Sequence, residues 1–153
     1  MEERSDNEQS RWPALLATIV ALIGLADAAY LTIHHYTAAP VPCGAGFDCE
    51  MVLNSPYATV AGLPLAIYGA AAYFIAFSLA VFCVYGYQKL WPLFGIQAML
   101  MAAFSGWLIY VQGALIGSFC MYCIVSAGTS VTLFIIFAAS MLSARRHGSI
   151  RSS

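Results

Sequence analysis

GYQKLWP, residues 86–92, breaks an apolar chain with a single lysine, Lys89, and the placement of that lysine decides the fold. The other basic residues are Arg4 and Arg11 at one end and Arg145, Arg146 and Arg151 at the other. No lysine or arginine lies between Arg11 and Lys89, or between Lys89 and Arg145. Of the 153 residues 61% are hydrophobic and 8% are charged. A soluble domain carries about a quarter of its residues as charges, so lipid is the solvent for most of this chain. Scattered bases also give no patch for a nucleic acid, and none is expected as a partner.

Working outward from Lys89, four apolar stretches emerge, at 14–36, 63–85, 93–116 and 119–142. Each is close to the ~20 residues that carry a helix across a ~30 Å hydrocarbon core. They lack the alternation of a barrel strand, and a helix is the other structure that satisfies its backbone in lipid. Basic residues favour the cytoplasmic side. Four spans put both termini and GYQKLWP there, and all six bases comply. The expected fold is therefore an all-α membrane protein, a four-transmembrane-helix bundle over 13–143 with one long extracytoplasmic loop, 37–62. Residues 1–12 are expected to form a disordered cytoplasmic tail, with Pro13 in the first helical turn. Residues 144–153 form a second cytoplasmic tail. The first span is too long for a cleavable signal, and its flank is acidic as well as basic, so it is expected to stay. In the loop, 50–60 is apolar enough to lie on the membrane surface as a short helix.

That topology gathers four of the five cysteines on one side. Cys43 and Cys49 lie in PCGAGFDCE (42–50), in the outward loop, and Cys120 and Cys123 lie in FCMYC (119–123), at the outward end of the fourth span. The outer face is the oxidising one, where disulfides persist. Three readings of these thiols stand side by side. As static staples they close very short rings, which contribute less than the ~3 kcal/mol of a 15-residue ring. As zinc ligands they offer four thiolates, but in an oxidising compartment and without a histidine in either motif. As redox pairs they use the spacing for a reason, because a thiolate at a helix N-terminus is stabilised by the helix dipole. The redox reading is favoured. A thiol relay in a membrane needs an electron acceptor, and a lipid-soluble quinone reaches the bundle from the bilayer. Phe119, Met121 and Tyr122 offer aromatic and soft surface for such a ring. Cys83, near the inner end of the second span, reads as small apolar filler.

The chain here resembles the vitamin K epoxide reductase family, particularly its bacterial members. The resemblance rests on Asp27, Tyr30, Leu31 and His34 in the first span, on the loop pair Cys43 and Cys49, on NSPYATVAGLPLAIYG (54–69) with Ser55, and on the Cys-x-x-Cys opening the last span. It implies a quinone-dependent thiol oxidoreductase that generates disulfides in a partner. Cys43 would exchange with a thioredoxin-like partner, Cys49 with Cys120, and Cys123 would stand beside the quinone. Ser55 would support the loop or the quinone pocket. Leu65 and Ala127 stand where animal members place an Asn and a Tyr against the vitamin. A respiratory quinone, ubiquinone or menaquinone, is thus implied rather than the epoxide. Bacterial relatives often carry a fused thioredoxin-like domain. This sequence shows none, so a separate thioredoxin-like (DsbA-like) extracytoplasmic protein is expected, with the chain in a bacterial inner membrane. A quinone or vitamin K epoxide reductase using the same cysteines, and a non-catalytic membrane protein with static disulfides, are the alternatives.

Other polar residues are fewer. Asp27, ionisable and inside a span, is a candidate proton relay to the quinone or a hydrogen-bonded tie between helices. His34 and His35 read as interfacial residues, and Gln97 and Gln112 as interhelical hydrogen-bonders. Asp48 and Glu50 beside Cys49 are expected to oppose its ionisation.

Overall fold

A computed structural model describes residues 2–151, with side chains over 11–144. Its element order is α1 (Glu2–Thr37), α2 (Cys49–Leu53), a 3-10 turn (Pro56–Ala58), β1 (Thr59–Val60), β2 (Leu63–Pro64), α3 (Leu65–Val84), a second 3-10 turn (Gln88–Leu90), α4 (Trp91–Val111), a π turn (Gln112–Ile116) and α5 (Met121–Arg151). Four helical segments are long and apolar enough to cross a membrane: Arg11–Thr37, Leu65–Val84, Gln88–Ile116 and Met121–Ala144. The fold is thus an all-α four-helix membrane bundle, as the sequence predicts. α1 packs on α3 and α5, and α4 on α5 and α3, so the helices form a closed ring of neighbours.

Small residues set the closest seam. Ala14, Ala17, Ala21 and Ala28 line one face of α1 at helical spacing, and Ala76, Ala80 and Cys83 answer from α3. Lipid tails give apolar side chains no reason to leave them, so helices associate in membranes through close packing of such surfaces. Gly24 belongs to the same seam: a Cβ there would collide with the Tyr73 ring. The inner end is tied by polar bonds from residues around the lysine turn. Arg11 donates from Nε to the Val84 carbonyl at 3.2 Å, and Gln88 donates to the Cys83 carbonyl at 2.9 Å. Trp91 donates from its indole to Ser140 at 2.9 Å. Pro92 lies in the first turn of α4, where its missing N–H is harmless.

Three expectations change. Helix α1 starts at Glu2, not at Pro13, and Pro13 lies inside it. Glu2, Glu3, Glu8, Gln9 and Arg11 are good helix formers, with acids toward the positive end of the dipole, so the tail continues the span as helix. α5 likewise runs on to Arg151, through most of the tail expected at 144–153. The outer loop is more ordered than its Pro and Gly content suggests. A short helix does form, but with Cys49 and Val52 buried beneath it. It is followed by a two-residue hairpin, with Thr59 opposite Pro64 and Val60 opposite Leu63. Ala61 and Gly62 turn it with φ of 52° and 80°. Positive φ at both central positions is the geometry of a tight type I′ hairpin turn.

Candidate active site

The loop and the entry to α5 are joined by bonds from the immediate neighbours of the cysteines. The N–H of Asp48 donates to the Phe119 carbonyl at 3.1 Å. The Tyr122 hydroxyl donates to the Pro42 carbonyl at 3.0 Å, and Ser118 donates to the Met51 sulfur at 3.1 Å. Each bond joins a residue beside or near one pair to a residue beside the other, so the two pairs share one apolar cluster. Cys49 and Cys120 are at its centre, 1% and 0% exposed, and Val52 and Ile116 fill the space around them. Cys43 and Cys123 pack at its margins. Asp48 also caps α2, accepting the Met51 N–H at 3.0 Å, so the carboxylate beside Cys49 is engaged with a helix N-terminus.

Within the cluster the two pairs differ. Cys43 and Cys49 form a disulfide, with Cα atoms 6.0 Å apart. Cys43 is half-buried and Cys49 fully so. Cys120 and Cys123 are free thiols. Cys120 immediately precedes the segment that spans the membrane. Its sulfur is hydrogen-bonded to the Cys123 thiol and accepts the N–H groups of Cys123 and Tyr122, as an N-cap side chain does. Those donors, the Cys123 thiol foremost, outweigh burial and hold Cys120 below the ordinary thiol range, at about 7.

Beneath the loop lies a cavity of about 580 Å³. Cys123 is on its wall; Cys43, Cys49 and Cys120 are not. Asp27 and Ser55 line it too, together with His34 and His35. The Oδ2 atom of Asp27 is buried with no hydrogen-bond partner among the described residues. Ser55 donates to the Val52 carbonyl at 2.7 Å, which fixes the turn after α2 as part of the roof. Phe119 and Tyr122, expected against a quinone, are not among the cavity walls. Phe119 lies over Gly113 and is substantially exposed. Tyr122 is one residue from Cys123 and hence about 100° around the helix. It stacks on Tyr30, with ring centroids 5.4 Å apart, and Tyr30 in turn meets His34 at 4.3 Å. Tyr122 therefore fastens the loop instead of facing the cavity.

Gln97 donates from α4 to the Ala72 carbonyl of α3 at 3.3 Å, the interhelical tie read from the sequence. Gln112 does more than that reading gave it. It is 3% exposed and its side-chain oxygen accepts the Cys120 N–H at 2.9 Å. A buried amide eight residues before a Cys-x-x-Cys was the available signal, but only the π turn brings it back to the thiols.

Four spanning helices with two cysteine pairs clustered at one end define an all-α integral membrane bundle with a candidate thiol site. The chain belongs to the vitamin K epoxide reductase family, whose model matches residues 15–138. A similar protein is the thiol-disulfide oxidoreductase LTO1 of Arabidopsis thaliana, 35% identical over 119 residues. The match takes in 72% of this chain but 32% of that protein, so the chain spans about a third of its relative's length.

Proposed function

We propose that the chain moves electrons from a separate thioredoxin-like extracytoplasmic protein to a membrane quinone, making disulfides in that partner. The observation that carries this reading is the division of the inner pair: Cys120 shares a buried cluster with Cys49, while Cys123 lines the cavity. A partner thiolate attacks Cys43, the more accessible sulfur, and Cys49 leaves as a thiolate. The partner's second thiol then displaces Cys43, and the partner departs oxidised. Cys49 next attacks Cys120 of an inner disulfide, expelling Cys123 as a thiolate, and Cys43 then attacks Cys49 of that mixed disulfide, expelling Cys120 as the second thiolate and closing the outer pair. Two electrons have then passed from partner to inner pair.

The cavity suits a quinone. Its volume lies in the range of small-molecule sites, and Leu31, Leu65, Leu100, Phe104 and Leu108 give it apolar walls. Asp27 brings one unpartnered polar atom. A quinone held there supplies a two-electron, two-proton reduction to quinol, which returns Cys120 and Cys123 to the disulfide. Asp27 is placed to carry a proton at Oδ2, and Ser55 holds the roof. The charge pattern favours an inner-membrane protein with both termini cytoplasmic and the cysteines outside.

The test is reconstitution in lipid with ubiquinone or menaquinone and a reduced DsbA-like protein. Wild type should form quinol, and Cys123→Ala should lose it by several orders of magnitude. In Cys49→Ala, Cys43 should be trapped as a mixed disulfide with the partner. Quinol formation at the wild-type rate in Cys123→Ala would overturn the assignment of the last thiol.

A further inference from the structure

Two hydrogen-bonding tasks converge on Gln112, at the start of the π turn that ends α4. Its backbone carbonyl accepts the N–H groups of Gly117 and Ser118, at 2.9 and 3.3 Å, which closes the link into α5. Its side chain then reaches past that link to the thiols. The Oε1 atom faces the Cys120 N–H, a group that can only donate, and this fixes which way the amide points. The NH₂ end is left for its other contact, the sulfur of Cys123. Cys120 receives backbone N–H groups from the helix start as well as the Cys123 thiol. Among the described residues, Gln112 is the donor on the Cys123 side.

The geometry points to Gln112 as the positioning residue of the inner pair: its carbonyl fixes Cys120 against the loop, and its amide holds the Cys123 sulfur, when reduced, on the cavity wall. The role rests on the relay reading of the two pairs but not on the identity of the acceptor. An N–H donor interacts more strongly with a thiol or thiolate, which carries more charge, than with a disulfide sulfur. Gln112 therefore favours the reduced form of the inner pair.

The test is the dithiol–disulfide equilibrium of that pair in the full chain in lipid, poised in mixtures of reduced and oxidised dithiothreitol. Alkylation followed by peptide mass analysis reads the inner and outer pairs separately. Gln112→Met keeps the length of the side chain and loses both bonds. It should shift the inner equilibrium about tenfold toward the disulfide, or ~30 mV more negative, and leave the outer pair within twofold of wild type. Gln112→Glu keeps an oxygen for the Cys120 N–H and replaces the donor. Its shift should grow as pH rises and the new carboxyl ionises, a signature that a purely structural cap would not give. If Gln112→Met does not fold, Gln112→Glu still decides. An inner pair in folded Gln112→Glu within twofold of wild type at every pH would overturn the proposal. Because no quinone enters the measurement, a failed quinol assay and a failed Gln112 test are distinguishable.

Discussion

Asp27 from α1 and Cys123 from α5 both line one cavity. Asp27 ends in a buried oxygen with no hydrogen-bond partner among the described residues, so Oδ2 is free to bond a group that enters the cavity. Asp27→Asn keeps the shape and removes the exchangeable carboxyl proton. Quinol formation should fall about a hundredfold, the lower end of what a positioned acid or base contributes. Exchange between the partner and Cys43 should be unchanged, because Asp27 is absent from the cysteine cluster. Quinol formation within twofold of wild type would assign Asp27 to helix packing alone. The sequence pointed to Asp27 because an ionisable residue inside a span is costly. It could not separate Tyr122 from Cys123, since one residue of helix turns the side chain onto another face.

At the scale of elements, α2 and the start of α5 act as a single unit. Their joint is made from the Asp48 N–H, the Tyr122 hydroxyl and the Ser118 hydroxyl, with the cysteines between. Tyr122→Phe removes one of these bonds, worth about 1 kcal/mol. Electron transfer from partner to inner pair should slow about fivefold, and reduction of quinone by a pre-reduced inner pair should keep its rate. Stopped-flow measurement of each half-reaction reads the difference. The reverse pattern would return Tyr122 to the quinone side. These joints were not legible beforehand. The four spans follow from length and apolarity alone, but the loop is short-range turn chemistry with weak signals. Ala61–Gly62 turns a hairpin without the usual Asn-Gly, and Pro56 opens a 3-10 turn inside the stretch 50–60 that reads as one short helix. Gln112 was visible as a buried amide but not as a residue that a π turn would aim at Cys120.

For the whole molecule, orientation rests on few charges. Lys89 is the one lysine or arginine between Arg11 and Arg145, and it sits at the end of the bundle opposite the two cysteine pairs. Topology is checked by introducing single labels into a background lacking the outer thiols: Tyr87→Cys beside Lys89, and Tyr57→Cys on the loop. Both tyrosines are well exposed. A membrane-impermeant maleimide added outside intact cells should label the second variant and spare the first. Labelling in the opposite sense would invert the protein and put the thiols in a reducing compartment.

The unequal burial of the outer disulfide has one more consequence. Cys43 is half-buried and Cys49 is 1% exposed in the cluster that also holds Cys120, so an incoming thiol meets one accessible sulfur of the pair. On the proposed relay, attack at Cys43 expels Cys49, the sulfur that shares the buried cluster with Cys120. The bond is thereby polarised by access instead of by chemistry, and the proposed direction of traffic follows from which of two like atoms the solvent can see.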